Sequence, residues 1–423
     1  MPVDAVADIP LTIGFKDTGN KPTPTPVDQA NSQDTATASL EAPIVLARKS
    51  IETVPDKPKL IDKFNKPAGG SRSKLTVSVV PDDARIRIMN IVEKYKPGIS
   101  LDRSKSYDVY VTRPGYESFR DKIKLTDDEQ ELAIVLPQRE LSMPLTVPLS
   151  GGTFTMGCSK SDSQCQSYEK PAHSVSVDSF AMTKTEITVS QFSDFVNATG
   201  YVTDAEKNAG GNKGCFVWSD GGGISRSSSR WGWKAGTNWR KPGYAQKGNF
   251  PVTCVSWNDS VAYAKWLSNK SGRHFTLPTE AQWEYAARAG SDARYVASNN
   301  ANSLCAHANV ADRSLSPTGS KWSDRVACND NYWFSAPVSS FKPNKLGLHD
   351  MQGNVWEWVD DVWASSFKNT PRNGMANTQG KSSDRVLRGG AWDGDEKRLR
   401  ISNRSKASTS NRAAMTGFRL VAR

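Results

Sequence analysis

The stretch GLHDMQGNVWEWVDD, residues 347–361, places two tryptophans beside amide and carboxylate side chains in one short segment. Asn354 and Glu357 supply hard oxygen atoms within one turn of chain. The carbonyl groups of Gly353 and Val355 can add two more oxygen atoms. Because calcium ions prefer ligand sets made only of oxygen, this spacing indicates a structural Ca²⁺ site.

The same stretch has a second interpretation that needs no metal. In it, Trp356 and Trp358 belong to the core, and Glu357 pairs with a buried arginine such as Arg419. A loop-rich domain has few ladders of backbone hydrogen bonds. Its buried polar groups therefore depend on indole rings, buried arginines and bound ions for partners. All thirteen tryptophans lie after residue 143, which places such a domain in the later part of the chain.

Further motifs surround this stretch in a fixed order. They are GGTFTMG at 151–157, PVTCVSWNDSVAYAKWL at 251–267, LPTEAQWEYAARAG at 277–290, RVLRGGAW at 385–392 and GFRLVAR at 417–423. Together they resemble the formylglycine-generating-enzyme (sulfatase-modifying factor) family over residues 148–423. The resemblance implies an α+β, C-type-lectin-like fold that is rich in loops, and we place this domain at 143–423.

Three segments of this domain predict helices. TEITVSQFSDFVNATG has apolar residues at helical spacing and ends at Gly200. Thr279 and Gln282 form a capping-box pattern before a second helix. A third helix begins in SWNDSVAYAKWL, where Asn258 or Asp259 is the expected cap.

The resemblance implies a second calcium site in addition to the one at residues 353–357. Its matching positions supply side-chain oxygens and carbonyl groups, and they are Asn309, Val310, Asp330 and Tyr332. Bound Ca²⁺ is therefore the cofactor we expect, in a structural role.

The resemblance also implies where an oxidase centre would lie. In formylglycine-generating enzymes, two cysteines after the glycine pair bind copper, because soft thiolates hold Cu(I). The matching positions here are Gly394 and Leu399, and no cysteine follows Cys328. The four histidines are far apart and lack metal-binding spacing. We therefore expect neither copper nor iron and identify no catalytic residue.

The segment RGGAWDGDEKRLRISNR, 388–404, predicts buried framework arginines with a presented surface between them. The family fold is shared by bacterial ligand-binding proteins, and the resemblance implies ligand contacts in this segment. We add the hypothesis that the loop at 202–240 completes a ligand groove with its tryptophans. The predicted contacts are Trp231, Trp233, Trp239, Asp393, Asp395, Glu396, Lys397, Ser405, Lys406, Ser408 and Thr409. The alternative is that the tryptophans belong to the core.

The residues before this domain differ in character. Residues 1–70, which include KPTPTP, predict an extended or disordered tether. Residues 74–138 contain four segments of alternating apolar and polar residues, which predict a small antiparallel β-domain. With PDDARIRI and RPGYESF, this domain resembles a PEGA domain, and that resemblance implies an extracytoplasmic spacer or surface-binding module.

The charge pattern limits the partners. The net charge is +11, but acidic residues are interspersed among the basic ones, so we expect no nucleic acid as a partner. No stretch approaches the ~18 apolar residues of a membrane span. The N-terminus MPVDAVADIPLTIGF lacks a signal-peptide pattern. We expect either a cytosolic protein or a trimmed piece of a longer one, with membrane contact only through an upstream segment.

The cysteines bear on that choice. All six follow residue 150, and none has a CxxC spacing. This pattern favours disulfides in an oxidising compartment, so we expect the bacterial periplasm or cell surface. Cys158–Cys165 and Cys305–Cys328 are the expected bridges. The alternative is a cytosolic protein with free buried thiols.

The sequence therefore predicts a non-catalytic extracytoplasmic protein that binds a protein or glycan ligand through a C-type-lectin-like domain. Two alternatives stay open. One is a metal-dependent oxidoreductase of the same family with a divergent active site. The other is the ectodomain of a larger membrane signalling or surface-assembly protein.

Overall fold

The computed structural model describes residues 59–63, 71–113, 115–160, 162–218, 231–296, 298–313, 325–379 and 382–423. The chain divides into Met1–Val54 and Pro55–Arg423, and all described residues belong to the second unit. The predicted tether at 1–70 lies outside the described residues except for 59–63. None of the described helices combines the length and apolar character needed to cross a membrane.

The predicted β-domain consists of two sheets on one core. Its strands are β1 Lys59–Lys63, β2 Arg72–Val80, β3 Arg85–Ile88, β4 Ile99–Asp102, β5 Ser106–Thr112, β6 Phe119–Lys124 and β7 Glu129–Val135. The sheet orders are β1-β7-β2-β4 and β3-β5-β6. Leu75, Val109 and Leu132 are fully buried in one shared apolar cluster, so residues of both sheets pack together.

Strand direction in this domain differs from the prediction at one place. β2 and β7 run parallel, with Lys74 opposite Glu129 and Val80 opposite Val135, whereas the other described pairs of the domain are antiparallel. Alternation identifies a strand but is the same in both directions, and the long connection between β2 and β7 leaves room for a crossover. β1 also lies inside the range predicted as tether, where it pairs with β7.

The described part of the C-terminal domain contains four α-helices: α1 Val189–Thr199, α2 Asp204–Lys207, α3 Trp257–Ser271 and α4 Glu280–Arg288. It also contains three short 3-10 helices, at Ser167–Glu169, Ala209–Gly211 and Ala301–Ala306. α1 ends at Gly200 and α4 begins with the capping box at Thr279, as predicted. The cap of α3 is Ser256 rather than Asn258 or Asp259. Asp259 lies three residues inside, and its carboxylate accepts the Ser256 N–H at 2.9 Å, which completes a capping box.

Short strands separated by long irregular segments make up the rest of this domain. They are β8 Thr146–Leu149, β9 Gly152–Met156, β10 His173–Val177, β11 Phe180–Thr183, β12 Cys215–Trp218, β13 Trp231–Lys234, β14 Phe275–Thr276, β15 Trp356–Val362, β16 Asp384–Arg388, β17 Arg404–Ser408, β18 Thr416–Gly417 and β19 Val421–Ala422. Two four-stranded sheets have the orders β14-β19-β11-β8 and β17-β16-β15-β18, while β9–β10 and β12–β13 pair separately. This arrangement agrees with the predicted α+β, loop-rich fold.

Three disulfides stabilise the irregular segments. They join Cys158 to Cys165, Cys215 to Cys254 and Cys305 to Cys328. The first and third confirm the predicted bridges, and together the three account for all six cysteines. Each closes a loop and so restricts the unfolded chain.

Buried arginines brace the C-terminal segment, as predicted. Arg388 donates to Glu280 at 3.0 Å and to Glu284 at 2.6 Å, which ties β16 to α4. Arg400 donates to both carboxylate oxygens of Glu169, at 2.5 and 2.6 Å. All five side chains are almost fully buried, and removing one partner of such a pair is strongly destabilising.

Candidate functional site

Gly394 and Leu399 face each other in the C-terminal segment. A Cβ atom added to Gly394 would lie 3.3 Å from Leu399 Cδ2, so side chains at these two positions would meet. Leu399 is fully buried in an apolar cluster with Tyr295, Leu304 and Val326. Neither position offers a side-chain ligand, and every cysteine of the chain is in a disulfide. The residues present therefore do not fit a copper ion.

Most predicted ligand contacts of the C-terminal segment reach solvent. Three are exposed: Lys397, Lys406 and Ser408. Four more are half-buried: Asp395, Glu396, Ser405 and Thr409. Lys406 Nζ lies 3.1 Å from the carboxylate of Asp384 across β16 and β17. These seven positions have the solvent access that contact with a ligand requires.

The structure corrects two of the predicted contacts, because both are buried. Asp393 is 7% exposed, and burial raises the pKa of its carboxyl group to about 6. Trp239 is 2% exposed and packs edge-on against Phe192, with ring centroids 5.2 Å apart. The core interpretation is therefore right for Trp239. In an irregular segment no period separates the buried face from the exposed one, so the sequence pattern could not distinguish them.

Partly exposed aromatic side chains form one surface, which we call the aromatic face. Its members are Phe216, Trp218, Trp231, Trp233, Trp333 and Phe334. Trp231 stacks on Phe216 with centroids 5.8 Å apart and meets Trp218 edge-on at 5.4 Å. The buried ring of Trp392 lies against Trp231 at 5.8 Å and Phe334 at 5.0 Å. Trp392 thus links the segment after the glycine pair to this face.

The hairpin β12–β13 positions four of these rings. Phe216 lies opposite Trp233, and Trp218 lies opposite Trp231, so the four side chains point to one side of the pair. The Cys215–Cys254 disulfide anchors the start of β12. The residues 219–230, part of the predicted ligand loop, lie outside the described residues.

The predicted ligands of the second calcium site lie close together. Asp330 accepts the N–H groups of Val310 and Tyr332 at 2.7 and 2.8 Å. Asn309 donates its Nδ2 to the carbonyl oxygen of Phe334 at 2.8 Å. Its Oδ1 is buried and accepts no hydrogen bond within the described part of the chain. A buried amide oxygen without a donor, on the residue before the one that contacts the Asp330 carboxylate, fits a hard cation.

At residues 353–357 the predicted ligand side chains have other partners. Glu357 accepts hydrogen bonds from Arg419 and from Trp283 Nε1, each at 2.7 Å. Asn354 Oδ1 accepts the N–H of Ala336 at 2.8 Å, and its Nδ2 donates to another carboxylate. The ion pair that the sequence left open as the alternative is therefore present.

That other carboxylate belongs to Glu186, which sequence reasoning missed together with Asp350. Both are buried, and neither Glu186 Oε2 nor Asp350 Oδ1 has a hydrogen-bond partner among the described residues. Burial raises the pKa of both carboxyl groups, and the charge of Asp350 raises that of Glu186 further. Two neighbouring carboxylates are both acceptors, so a shared proton or a bound cation would satisfy the oxygens that lack donors. Asp350 stands inside the motif GLHDMQG, but nothing near Glu186 in sequence signals this contact.

Comparison with known proteins agrees with the fold and the motifs. Residues 133–423 match the model of the sulfatase-modifying factor enzyme 1-like domain. The chain therefore belongs to the formylglycine-generating-enzyme (sulfatase-modifying factor) family. Almost all of the β-domain precedes the matched region, and its resemblance to a PEGA domain stays a prediction.

Similar proteins include active and inactive members. The formylglycine-generating enzyme of Streptomyces coelicolor is 33% identical over 295 residues, which cover 64% of this chain and 87% of that protein. The inactive C-alpha-formylglycine-generating enzyme 2 of Mus musculus is 30% identical over 295 residues, covering 65% and 85%. The structure of PvdO from Pseudomonas aeruginosa aligns with a TM-score of 0.52 at 28% identity, covering 67% of this chain and 99% of that one.

Proposed function

We propose that this chain is a non-catalytic, ligand-binding member of its family. The proposal rests on the contact between Gly394 and Leu399, where hydrocarbon fills the place that thiolates would occupy in a copper oxidase. A fully buried leucine also excludes water and substrate from that position. Two of the similar proteins are named as inactive, so loss of activity within this family has a precedent.

The aromatic face is the ligand surface in this proposal. Large rings that are rigid and only partly buried provide much contact area at small entropic cost, which is why they dominate binding surfaces. The half-buried Asp395 and Glu396 and the exposed Lys397 add polar contacts in the segment that follows Trp392. The ligand we propose is a glycan or a protein, bound by stacking on Trp231 and Trp233.

In this proposal, bound calcium ions stabilise the irregular segments of the C-terminal domain. The buried oxygens without donors, Asn309 Oδ1, Asp350 Oδ1 and Glu186 Oε2, support two sites. One site uses the predicted set around Asn309 and Asp330. At the other, beside residues 353–357, Asp350 and Glu186 supply the negative charge, because Glu357 is paired with Arg419. Calcium supplies positive charge there and takes part in no reaction.

We further propose an extracytoplasmic location. Disulfides persist in oxidising compartments, and three of them account for every cysteine. Thiol labelling of the protein in its native host should find no free cysteine. Six reactive thiols would contradict this part of the proposal.

A binding screen tests the central part. The full chain is presented to glycan and protein arrays, beside the variants Trp231→Ala and Trp233→Ala. We expect both variants to keep the near-ultraviolet circular dichroism of a folded protein and to lose the bound ligand. Trp363→Ala is the control, because Trp363 is half-buried but lies outside the aromatic face. Unfolding of both test variants, or binding unaffected by them, would contradict the role of this face.

A further inference from the structure

A compact group of potential metal-binding side chains lies beside the predicted calcium site at Asn309 and Asp330 and shares none of its predicted ligands. The sulfur atoms of Cys305 and Cys328 and a carboxylate oxygen of Asp312 all lie within 4.8 Å of one another. The two sulfurs are joined in a disulfide, and both cysteines are half-buried. Asp312 is fully buried beside them. Two sulfurs and one carboxylate form a ligand set that zinc accepts.

We propose that Cys305, Asp312 and Cys328 form a Zn²⁺ site that the disulfide masks and reduction uncovers. A dithiol reductant gives two electrons and two protons to the Cys305–Cys328 bond, which breaks to two thiols while the reductant forms its own disulfide. Zn²⁺ then displaces the two thiol protons and binds both thiolates and the Asp312 carboxylate. Three protein ligands leave a fourth tetrahedral position for water.

The geometry already suits such a site. Cys305 Sγ lies 3.4 Å from Asp312 Oδ2. With Zn–S about 2.3 Å and Zn–O about 2.0 Å, the sulfur–oxygen edge of a tetrahedron is about 3.5 Å. The distance between Cys305 Sγ and Asp312 Oδ2 therefore already matches this edge, and the two sulfur atoms must separate for zinc to bind.

Neighbouring groups hold the carboxylate in place. The backbone N–H of Asp330 donates to Asp312 Oδ2, and Asp330 itself accepts the N–H of Val310 at 2.7 Å. Such outer contacts orient a ligand and tune its affinity for metal. Leu304 and Val326 belong to the same apolar cluster as the two cysteines, so the site is partly shielded from water.

The other two disulfides serve as internal controls. The sulfurs of Cys158 and Cys165 each lie 3.4 Å from the carbonyl oxygen of Asp162, which is a poorer zinc ligand than a carboxylate. Among the described residues, neither the Cys158–Cys165 pair nor the Cys215–Cys254 pair belongs to a comparable group.

Zinc protection of thiols in the full chain tests the proposal. The protein is reduced with a trialkylphosphine, incubated with or without Zn²⁺, alkylated and mapped by mass spectrometry. We expect Zn²⁺ to slow alkylation of Cys305 and Cys328 at least tenfold and to leave Cys158 and Cys165 unchanged. No protection of Cys305 and Cys328, or equal protection of both pairs, would overturn the proposal.

Metal content provides a second readout. Dialysis against Zn²⁺ should leave one more bound zinc per chain in the reduced protein than in the oxidised one. The C158S/C165S variant should keep this extra zinc, while C305S/C328S and D312N should lose it. Equal zinc in the oxidised and reduced wild-type protein would refute the proposal even if a variant failed to fold.

Discussion

Arg419 and Glu357 form a two-point ion pair in the core, with Nε 2.7 Å from Oε2 and Nη2 2.7 Å from Oε1. Both side chains are fully buried. Arg419 also donates to the carbonyl oxygens of Thr183 and His349, at 3.2 and 3.0 Å. One guanidinium thus joins β15, the end of β11 and the segment around His349 that precedes β15.

Breaking this pair should destabilise the domain strongly. Arg419→Met leaves Glu357 buried without its cation and should lower the free energy of unfolding by about 3–5 kcal/mol. Lys74→Met is the control, since the Lys74–Glu129 pair is 65% and 71% exposed and should cost less than about 1 kcal/mol. Urea denaturation measures both, and comparable losses would show that the buried pair is not a brace.

Asp393 should make stability depend on pH. Burial raises its pKa to about 6 from an ordinary value of 3.8. The folded state therefore holds the proton more tightly, so this stabilising contribution is present below pH 4 and is lost as pH rises towards 6. The Asp393→Asn variant has no carboxyl group at this position, so its stability should not fall over this pH range.

Denaturation of both proteins at several pH values checks this. The variant and wild type should be about equally stable near pH 3.5. Above pH 7 the variant should be more stable, by up to about 3 kcal/mol. A difference in stability that is the same at both pH values would contradict a raised pKa for this buried carboxyl group.

Removal of calcium should destabilise the C-terminal domain. A ligand present at 100 times its dissociation constant stabilises the folded state by about 2.7 kcal/mol per site. Addition of a calcium chelator should therefore lower the melting temperature, and excess Ca²⁺ should restore it. Asn309→Ala and Asp350→Asn should each reduce the response, whereas Asp384→Asn, at a half-exposed position, should not. A melting temperature indifferent to chelator would count against both sites.

Two substitutions should create the missing thiolate pair. In Gly394→Cys/Leu399→Cys, the side chains meet because a Cβ at position 394 already lies 3.3 Å from the Leu399 side chain. The same Cβ would lie 2.9 Å from the Ala391 carbonyl oxygen, so a small local shift is needed. We expect the double variant to bind one Cu(I), in competition with a chromogenic chelator, and the single variant Leu399→Cys not to. A folded double variant without copper affinity would show that these positions do not correspond to the oxidase centre.

The features that local sequence encodes were predictable. The capping box at Thr279, the stop at Gly200 and the Cys158–Cys165 bridge each depend on residues close in sequence. The predicted cap of α3 was wrong because an aspartate such as Asp259 is itself a common capping residue. Only the reciprocal hydrogen bonds between Ser256 and Asp259 identify Ser256 as the start of the helix.

Features that depend on distant contacts were not predictable. Glu186 and Asp350 come from different segments, and only the fold brings them together. The exposure of Asp393 and Trp239 could not be read from spacing, because irregular segments have no period. The parallel pairing of β2 and β7 was not predicted for a related reason, since the alternation of apolar and polar residues is the same in parallel and antiparallel strands.

Metal content of the purified full chain tests the central claim most directly. The protein is isolated from its native host without chelator, under non-reducing conditions, and its calcium, copper and iron are measured by mass spectrometry. A non-catalytic binding protein with hydrocarbon at positions 394 and 399 should contain calcium and no stoichiometric copper or iron. One copper or iron ion per chain would contradict the account and favour an oxidoreductase with a different active site.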